Sequence, residues 1–490
     1  MRLFKIFVLA IFVCLTTGAN ATVDSSSMGW QALYRNKYDE AIEHFFKDAY
    51  QAKNTISVYE SIAFAYEARG RYDKMLNSWL KILKENPNSI RSSVILQSML
   101  DSSNKFNNSA IYKKSIKVLK KLLKNRISNS ENKFLAKQVL VKFYNLAHQP
   151  KKAKKIHDSF GYVTKWAVIG PFGKFGRSCL YEKFPPEQEI EFNTNYRGYS
   201  GEICWRYFKN IFSNGLVDFK QIVKPNIGCA YALTFIHSPF KQDVILELQT
   251  LQSWKAWVNN QNVYVCDQYK NFYPSKNSFH ASLQEGWNSL LIKSVCETKL
   301  DNWTFKLRVN DRKGRTCSNL KFIDNLSISS LQKVPKALKS SQQSKTELLN
   351  SIRNDFECLD NKALNYYYAG MHLYYQGLQD DGIKHLKRAI ELQPQFSGFL
   401  YAIGKMYEQA GFLPKIEREN KAKNFYNKAI EYDSQHVPAL VALGAYFERN
   451  KLYEEAIEKF KYTIKINPKF ASGYVDIGRV YRKRGWDLEA

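Results

Sequence analysis

The chain has 490 residues, of which 44% are hydrophobic and 24% charged, and its formal net charge is +28. This length predicts about two to four domains, and the hydrophobic fraction excludes a chain that is disordered throughout. The positive charge is densest from Lys113 to Lys124, where the apolar residues keep helical spacing. We interpret these lysines as a solvated helix face. Contact with an anionic polymer is the alternative, and no nucleic-acid partner is expected.

The N-terminus predicts export. Arg2 and Lys5 precede an apolar run, and small residues follow at Ala19 and Ala21. That order is typical of a secretory signal peptide, and the run of about ten residues is too short to span a bilayer. We therefore predict a signal peptide over residues 1–21, a protein that is soluble after cleavage, and a periplasmic or secreted location.

Residues 22–158 carry amphipathic helical spacing. Gly29 and Ala63 lie 34 positions apart, and Trp79 and Pro87 complete the second unit. A fixed period of this length indicates helical repeats, because each helix pair needs a neighbour to bury its apolar face. The pattern predicts a short N-terminal helical solenoid.

From residue 160 to residue 315 the pattern changes to short alternating and aromatic runs divided by turns. Such runs predict an all-β domain of the sandwich or jelly-roll kind. Asn259-Asn260 is a plausible hairpin turn, because asparagine tolerates left-handed backbone angles. The most distinctive phrases are Trp166–Phe172, Phe184–Glu187, Trp257–Asn260, Gly286–Lys293 and Trp303–Asp311.

Aromatic residues in this domain suggest carbohydrate binding, because aromatic faces contact pyranose rings. Trp254, Tyr269 and Phe272 are the candidate contacts, whereas Trp257, Trp287 and Trp303 are interpreted as core. Seven of the eight cysteines follow the signal peptide, and none has CxxC spacing, which argues against a zinc or thioredoxin-like site. Export makes disulfides possible, and the sequence leaves their pairing open.

Residues 316–360 are a polar linker, and repeats return in residues 361–490. Four glycines occupy equivalent places with steps of 34, 40 and 34, and Pro394 and Pro468 close two of the units. A glycine on the first helix lets the second helix approach, and a proline ends the second helix. The glycines are Gly370, Gly404, Gly444 and Gly478. We predict a second solenoid, truncated in its fourth repeat, which favours a fragment of a longer chain.

The repeat frame resembles the tetratricopeptide (TPR) family. The phrases of the middle domain resemble the galactose-binding-like β-sandwich of exported bacterial TPR proteins, some of which carry a transglutaminase-like domain further along. These resemblances imply a multidomain protein in which two TPR solenoids flank a β-sandwich. They also imply that a protein or peptide binds in the TPR groove.

First-helix positions that face neither neighbouring repeat are the candidate partner contacts, and they run from aromatic to charged along the array. They are Tyr367, Met371, Tyr374, Tyr401, Lys405, Glu408, Arg479 and Arg482. The sequence has no HExxH, GxSxG, P-loop or dinucleotide-binding motif, so we expect no catalysis, cofactor or metal in these residues. Two functions follow: an exported interaction scaffold with an accessory sandwich domain, or the non-catalytic front of a larger exported transglutaminase- or protease-like enzyme.

Overall fold

The computed structural model describes residues 25–49, 55–106, 109–173, 176–208, 214–267, 275–296, 302–322 and 361–486. The predicted signal peptide, most of the predicted linker, and the candidate sugar contacts Tyr269 and Phe272 lie outside the described residues. Two blocks of helices enclose a block of antiparallel strands along the sequence, so the protein is multidomain. No helix in these ranges combines the length and apolarity of a membrane span.

The described residues of the N-terminal array form eight α-helices. They are α1 (Ser25–Tyr34), α2 (Tyr38–Ala49), α3 (Thr55–Ala68), α4 (Tyr72–Glu85), α5 (Ile90–Asp101), α6 (Ser109–Asn125), α7 (Ser130–Leu146) and α8 (Pro150–Asp158). Local sequence sets their ends: Gly70 follows α3 with a φ of +64°, and the Ser89 hydroxyl caps α5 by accepting a hydrogen bond from the Ser92 amide.

The C-terminal array consists of seven described helices. They are α11 (Lys362–Tyr375), α12 (Gln379–Leu392), α13 (Ser397–Glu408), α14 (Lys415–Tyr432), α15 (Val437–Arg449), α16 (Tyr453–Ile466) and α17 (Ala471–Arg484). Its glycines allow close contact: a Cβ on Gly370 would lie 2.8 Å from the Gly382 carbonyl oxygen, and one on Gly382 would lie 2.7 Å from the Gly370 oxygen. These repeated helix pairs are TPR-like.

Thirteen described strands lie between the arrays, with two short helices, α9 (Ser178–Tyr181) and α10 (Phe219–Ile222). A seven-stranded sheet has the order β4-β1-β6-β11-β8-β9 with β13 also paired to β6, a four-stranded sheet has the order β10-β7-β12-β5, and β2 pairs with β3. The strands are β1 (Trp166–Phe172), β2 (Tyr196–Arg197), β3 (Glu202–Ile203), β4 (Arg206–Phe208), β5 (Val217–Asp218), β6 (Gly228–Ser238), β7 (Gln242–Thr250), β8 (Trp254–Val258), β9 (Gln261–Cys266), β10 (Ser275–Leu283), β11 (Gly286–Cys296), β12 (Thr304–Asn310) and β13 (Lys321–Phe322).

Alternation along the strands places one face of each sheet in a shared core. On β12, Phe305, Leu307 and Val309 point into this core, whereas Lys306 and Arg308 point to the opposite face. The Asn259-Asn260 turn between β8 and β9 has φ values of +49° and +62°, which confirms the predicted hairpin. The predicted linker is corrected in one respect: β13 lies within residues 316–360 and pairs with β6.

The two helical arrays do not lie apart on either side of the sandwich, as the sequence suggested. They share a hydrophobic core in which Phe64 of α3 packs against Tyr367 and Phe396, with ring centroids 5.0 and 5.7 Å apart. Polar contacts follow the same interface: the Tyr38 hydroxyl lies 2.6 Å from that of Ser397. Helix α3 of the N-terminal array therefore faces α11 and the start of α13, because the apolar residues of these helices cover one another.

Candidate functional site

The aromatic residues predicted to contact a partner lie inside the interface between the arrays. Met371 and Tyr374 are each 7% exposed, and the Tyr367 ring packs between Phe64 and Phe399. Tyr401 lies against the His436 ring, at 5.6 Å between centroids. The prediction that these residues face neither neighbour is therefore corrected, because the N-terminal array of the same chain covers most of this surface.

The charged residues predicted for the same groove have different surroundings. Glu408 accepts a hydrogen bond from the Tyr426 hydroxyl at 2.8 Å, and Arg479 makes two bonds of 2.8 Å to Glu448. Arg482 is exposed. Glu408 and Arg479 are therefore held by contacts within the C-terminal array, whereas Arg482 faces solvent.

Lys405 lines a small cavity of about 50 Å³ between the arrays, together with Glu67 and Asp101. Burial raises the pKa of the Glu67 carboxyl, and the ammonium groups of Lys105 and Lys405 act in the opposite direction. A cavity this small has no room for a peptide segment, so Lys405 belongs to the internal interface.

Trp254 is fully buried rather than exposed, which corrects its prediction as a sugar contact. Its ring stacks on Tyr264 at 4.8 Å between centroids and packs against Phe279 at 5.5 Å. The four-stranded sheet, to which Phe279 belongs, covers this face of β8 and β9. The indole therefore offers no open face to a pyranose ring.

The lysines from Lys113 to Lys124 lie on α6. All six of them are exposed, and Ile116, Leu119 and Leu122 of the same helix are buried. The predicted solvated helix face is therefore confirmed.

A cavity lies where the sandwich meets both arrays, and we call it the junction cleft. Its volume is about 410 Å³. Its lining is Ser93, Gln97, Leu100, Glu131, Phe134, Leu135, Gln138, Val141, Lys142, Asn145, His157, Phe160, Tyr162, Gln249, Lys306, His372, Tyr374, Tyr375, Gln376, Gly377 and Gln379. Helices α5 and α7 supply most of the lining residues. The outward-facing Gln249 of β7 and Lys306 of β12 form the side made by the sandwich, and the C-terminal end of α11 closes another side.

Four ordered contacts give the junction cleft its shape. The Gln376 amide donates to Glu131 at 2.5 Å, and the Tyr375 hydroxyl donates to Asp101 at 3.2 Å, which ties α11 to the N-terminal array. Arg308 pairs with the Glu247 carboxylate beneath the cleft, with an Nε–Oε2 distance of 3.0 Å. The Arg308 guanidinium also lies 3.5 Å from the centroid of the Phe134 ring. The sandwich, α7 and α11 are therefore joined around the cavity.

The electrostatics of the junction cleft favour an anion. Burial lowers the pKa of Lys306, and burial together with the charge of Lys306 lowers the pKa of His157. Burial and, to a smaller extent, the positive charges of Lys133 and Arg308 lower the pKa of Lys137, which lies on α7. Each shift reflects poor solvation of the charged form, and an incoming carboxylate would favour the charged form of Lys306, which lines the cleft.

Sequence reasoning missed the junction cleft because its residues come from distant parts of the chain. One local signal was present: within β12, Lys306 and Arg308 alternate with Phe305 and Leu307. Such alternation predicts a cationic strand face that must meet either solvent or another domain. Only the fold shows that helix α7 meets it.

The described residues contain no cluster of three or more histidine, cysteine or acidic side chains suited to a metal ion.

Two solved structures of the protein MamA are similar to part of this chain. One is 24% identical with a TM-score of 0.25 and covers 30% of this chain and 83% of the MamA chain. Another is 22% identical with the same TM-score, covering 30% and 78%. No protein-family model and no curated protein matches the chain. Similarity at these values carries no conclusion about partners or activity.

Proposed function

We propose that this chain is a TPR-type interaction scaffold that binds an extended acidic segment of a partner protein in the junction cleft. The observation that carries the proposal is the unneutralised charge of the cleft. Lys306 and Lys142 form no ion pair with a residue in the described ranges, and the one carboxylate of the lining, Glu131, accepts a hydrogen bond from Gln376, so positive charge is in excess. Charge complementarity therefore favours an acidic ligand over a basic or neutral one.

The remaining lining suits a polypeptide. Gln97, Gln138 and Gln249 carry amide groups that both donate and accept, as peptide bonds do. Aromatic and aliphatic residues such as Phe160 and Leu135 lie beside them and can cover apolar side chains of the ligand. A cleft of about 410 Å³ falls within the range of roughly 300–1,000 Å³ that is usual for ligand sites.

The groove of the C-terminal array is the alternative binding site, and it is already filled. Its aromatic residues already contact α3 of the same chain, so a partner that used that groove would have to displace the N-terminal array. The junction cleft needs no such displacement. On this proposal the described residues hold a partner and catalyse no reaction.

The test is fluorescence polarisation with labelled peptides of alternating acidic and apolar residues, using the full chain at low ionic strength. Lys306→Ala should raise the Kd about tenfold, because a hydrogen bond to a charged group contributes about 1.5–3 kcal/mol. Lys321→Ala is the matched control: Lys321 is an exposed lysine of the same domain on the other sheet. Equal affinities for wild type and Lys306→Ala, or equal binding of a lysine-rich peptide, would refute the proposal.

We also propose that the protein acts after export, on the basis of the N-terminal charge and apolar run alone. Expression in a bacterium, fractionation and N-terminal sequencing should find a mature protein that begins at Thr22. Recovery of the intact N-terminus in the cytoplasmic fraction would contradict export.

A further inference from the structure

The outer face of the seven-stranded sheet carries a buried polar cluster that the proposed function does not use. Cys229 and Tyr231 of β6 and Lys293 of β11 lie on this face, and Tyr231 and Lys293 are directly paired. Residues 177–187, which follow β1 and which we call the cap, close over this face through Cys179 and Glu187. Cys229 and Lys293 are fully buried, and Cys179 is 1% exposed.

The two cysteine side chains belong to the same buried cluster. Burial and the neighbouring Cys179 thiol raise the pKa of the Cys229 thiol. Cys229 is paired with Phe172 of β1, and a Cβ on the next residue, Gly173, would lie 2.5 Å from the Cys179 sulfur. The Cys179 sulfur therefore lies directly over the point where β1 meets β6. Gly173 leaves the space that the sulfur occupies, and its φ of +69° also favours glycine.

Charged contacts hold the cap in this position. The Lys293 ammonium donates to the Glu187 carboxylate at 2.6 Å and to the Glu182 carbonyl oxygen at 2.5 Å. The Tyr231 hydroxyl donates to the same Glu187 oxygen atom at 2.5 Å. A buried ammonium needs such partners, so the segment from Glu182 to Glu187 is fixed on the sheet next to α9. The thiols are thus brought together by contacts that do not involve sulfur.

We propose that Cys179 and Cys229 form a disulfide that fastens the cap of the seven-stranded sheet to β6. A small-molecule disulfide such as oxidised glutathione is the oxidant. The exchange takes place before the cap closes over the sheet, while both thiols are accessible. One cysteine thiolate attacks the glutathione disulfide, which releases one glutathione thiol and leaves a mixed disulfide, and the other cysteine then displaces the second glutathione. The Sγ–Sγ bond replaces two S–H bonds, and two electrons and two protons pass to the two glutathione thiols.

The cross-link would close a loop of about 50 residues, which is long enough to restrict the unfolded chain strongly. It would also fix the cap residues Arg177 and Tyr181, which contact Asp267 at the end of β9. The disulfide therefore joins the cap to the sheet independently of the ion pair of Lys293 and Glu187. The inference does not depend on the proposed function, because the cluster lies on the sheet opposite the one that lines the junction cleft.

Peptide mapping of the full chain tests this directly. Wild-type protein is unfolded and refolded in oxidised and reduced glutathione, then denatured in iodoacetamide without reductant and digested with trypsin. We expect the peptide of residues 178–183 linked to the peptide of residues 221–241, and its loss after dithiothreitol. Full alkylation of both cysteines, or linkage of either one to a different cysteine, would overturn the proposal.

A second measurement compares thermal unfolding with and without reductant. Dithiothreitol should lower the midpoint of wild-type protein and of Cys204→Ser, which removes an exposed cysteine, by roughly 10 °C. Cys179→Ser should start at the lower midpoint and show no shift. A reductant shift of the same size in Cys179→Ser would contradict the pairing, and the wild-type map decides the question if that variant does not fold.

Discussion

His436 should make the contact between the two helical arrays sensitive to acid. Its ring is 2% exposed and caps α15, where Nδ1 accepts a hydrogen bond of 3.2 Å from the Ala439 amide. The Arg69–Asp433 ion pair and Lys105 of the N-terminal array lie nearby. Burial, followed by the positive charges of Arg69 and Lys105, lowers the pKa of His436 to about 3 from an ordinary value of 6.5.

The sign of the effect follows from this pKa shift. Because the unfolded chain binds the proton more tightly than the folded chain, the stability contributed by neutral His436 is complete above pH 6.5. It is lost as the pH falls from 6.5 towards 3. Between pH 7.5 and pH 4.5 the linkage relation gives a loss of about 3 kcal/mol in the free energy of unfolding. Asp433 acts in the opposite direction: burial raises the pKa of its carboxyl, so the folded chain binds that proton more tightly and acidification offsets part of the loss.

Urea unfolding followed by far-ultraviolet circular dichroism at pH 7.5 and pH 4.5 isolates this contribution. His436→Asn keeps an N-cap acceptor and removes the titrating ring, so it should lose about 3 kcal/mol less than wild type on acidification. His148→Asn is the control: His148 is exposed and has a φ of +54°, which asparagine tolerates. The reasoning is refuted if His436→Asn loses as much stability between the two pH values as wild type and His148→Asn do.

Two further substitutions test the contacts that assemble the domains, with the free energy of unfolding in urea as the measurement. Phe64→Ala should cost about 3–5 kcal/mol because it opens a cavity between the arrays, whereas Phe240→Ala, at a residue 53% exposed, should change stability by less than about 0.5 kcal/mol. Similar losses for both would show that the arrays do not depend on this packing. Glu247→Gln should cost about 3–5 kcal/mol because Arg308 stays buried, whereas Asp243→Asn, whose partner Arg312 is exposed, should cost less than about 1 kcal/mol. Equal costs would contradict a buried pair beneath the junction cleft.

The local features of the fold could be predicted because they depend on near neighbours in the sequence. Gly370 and Gly382 recur in a frame that requires two helices in close contact, and their backbones do approach each other in the structure. The Asn259-Asn260 turn likewise follows from what two adjacent residues can adopt.

The burial of Trp254 could also have been inferred, since its side chain shares a strand face with Ala256 and Val258. Period-two alternation places all three on one side, and two small apolar neighbours indicate a covered side. The prediction of Trp254 as an exposed sugar contact rested on its aromatic ring alone and is wrong. The junction cleft is different, because Lys306, Lys142 and Gln376 meet only through packing between separate domains.

The change from aromatic to charged residues along the C-terminal array has an explanation in the contact between arrays. Tyr367 and Tyr374 lie where the N-terminal array covers the groove, and Arg479 and Arg482 lie near its end, where Arg482 is exposed. A sequence pattern cannot distinguish a groove filled by its own chain from one that awaits a partner, because both require the same apolar surface. The structure shows the first case for the aromatic part. A partner must therefore displace α3 or bind elsewhere, and the unneutralised lysines favour the junction cleft.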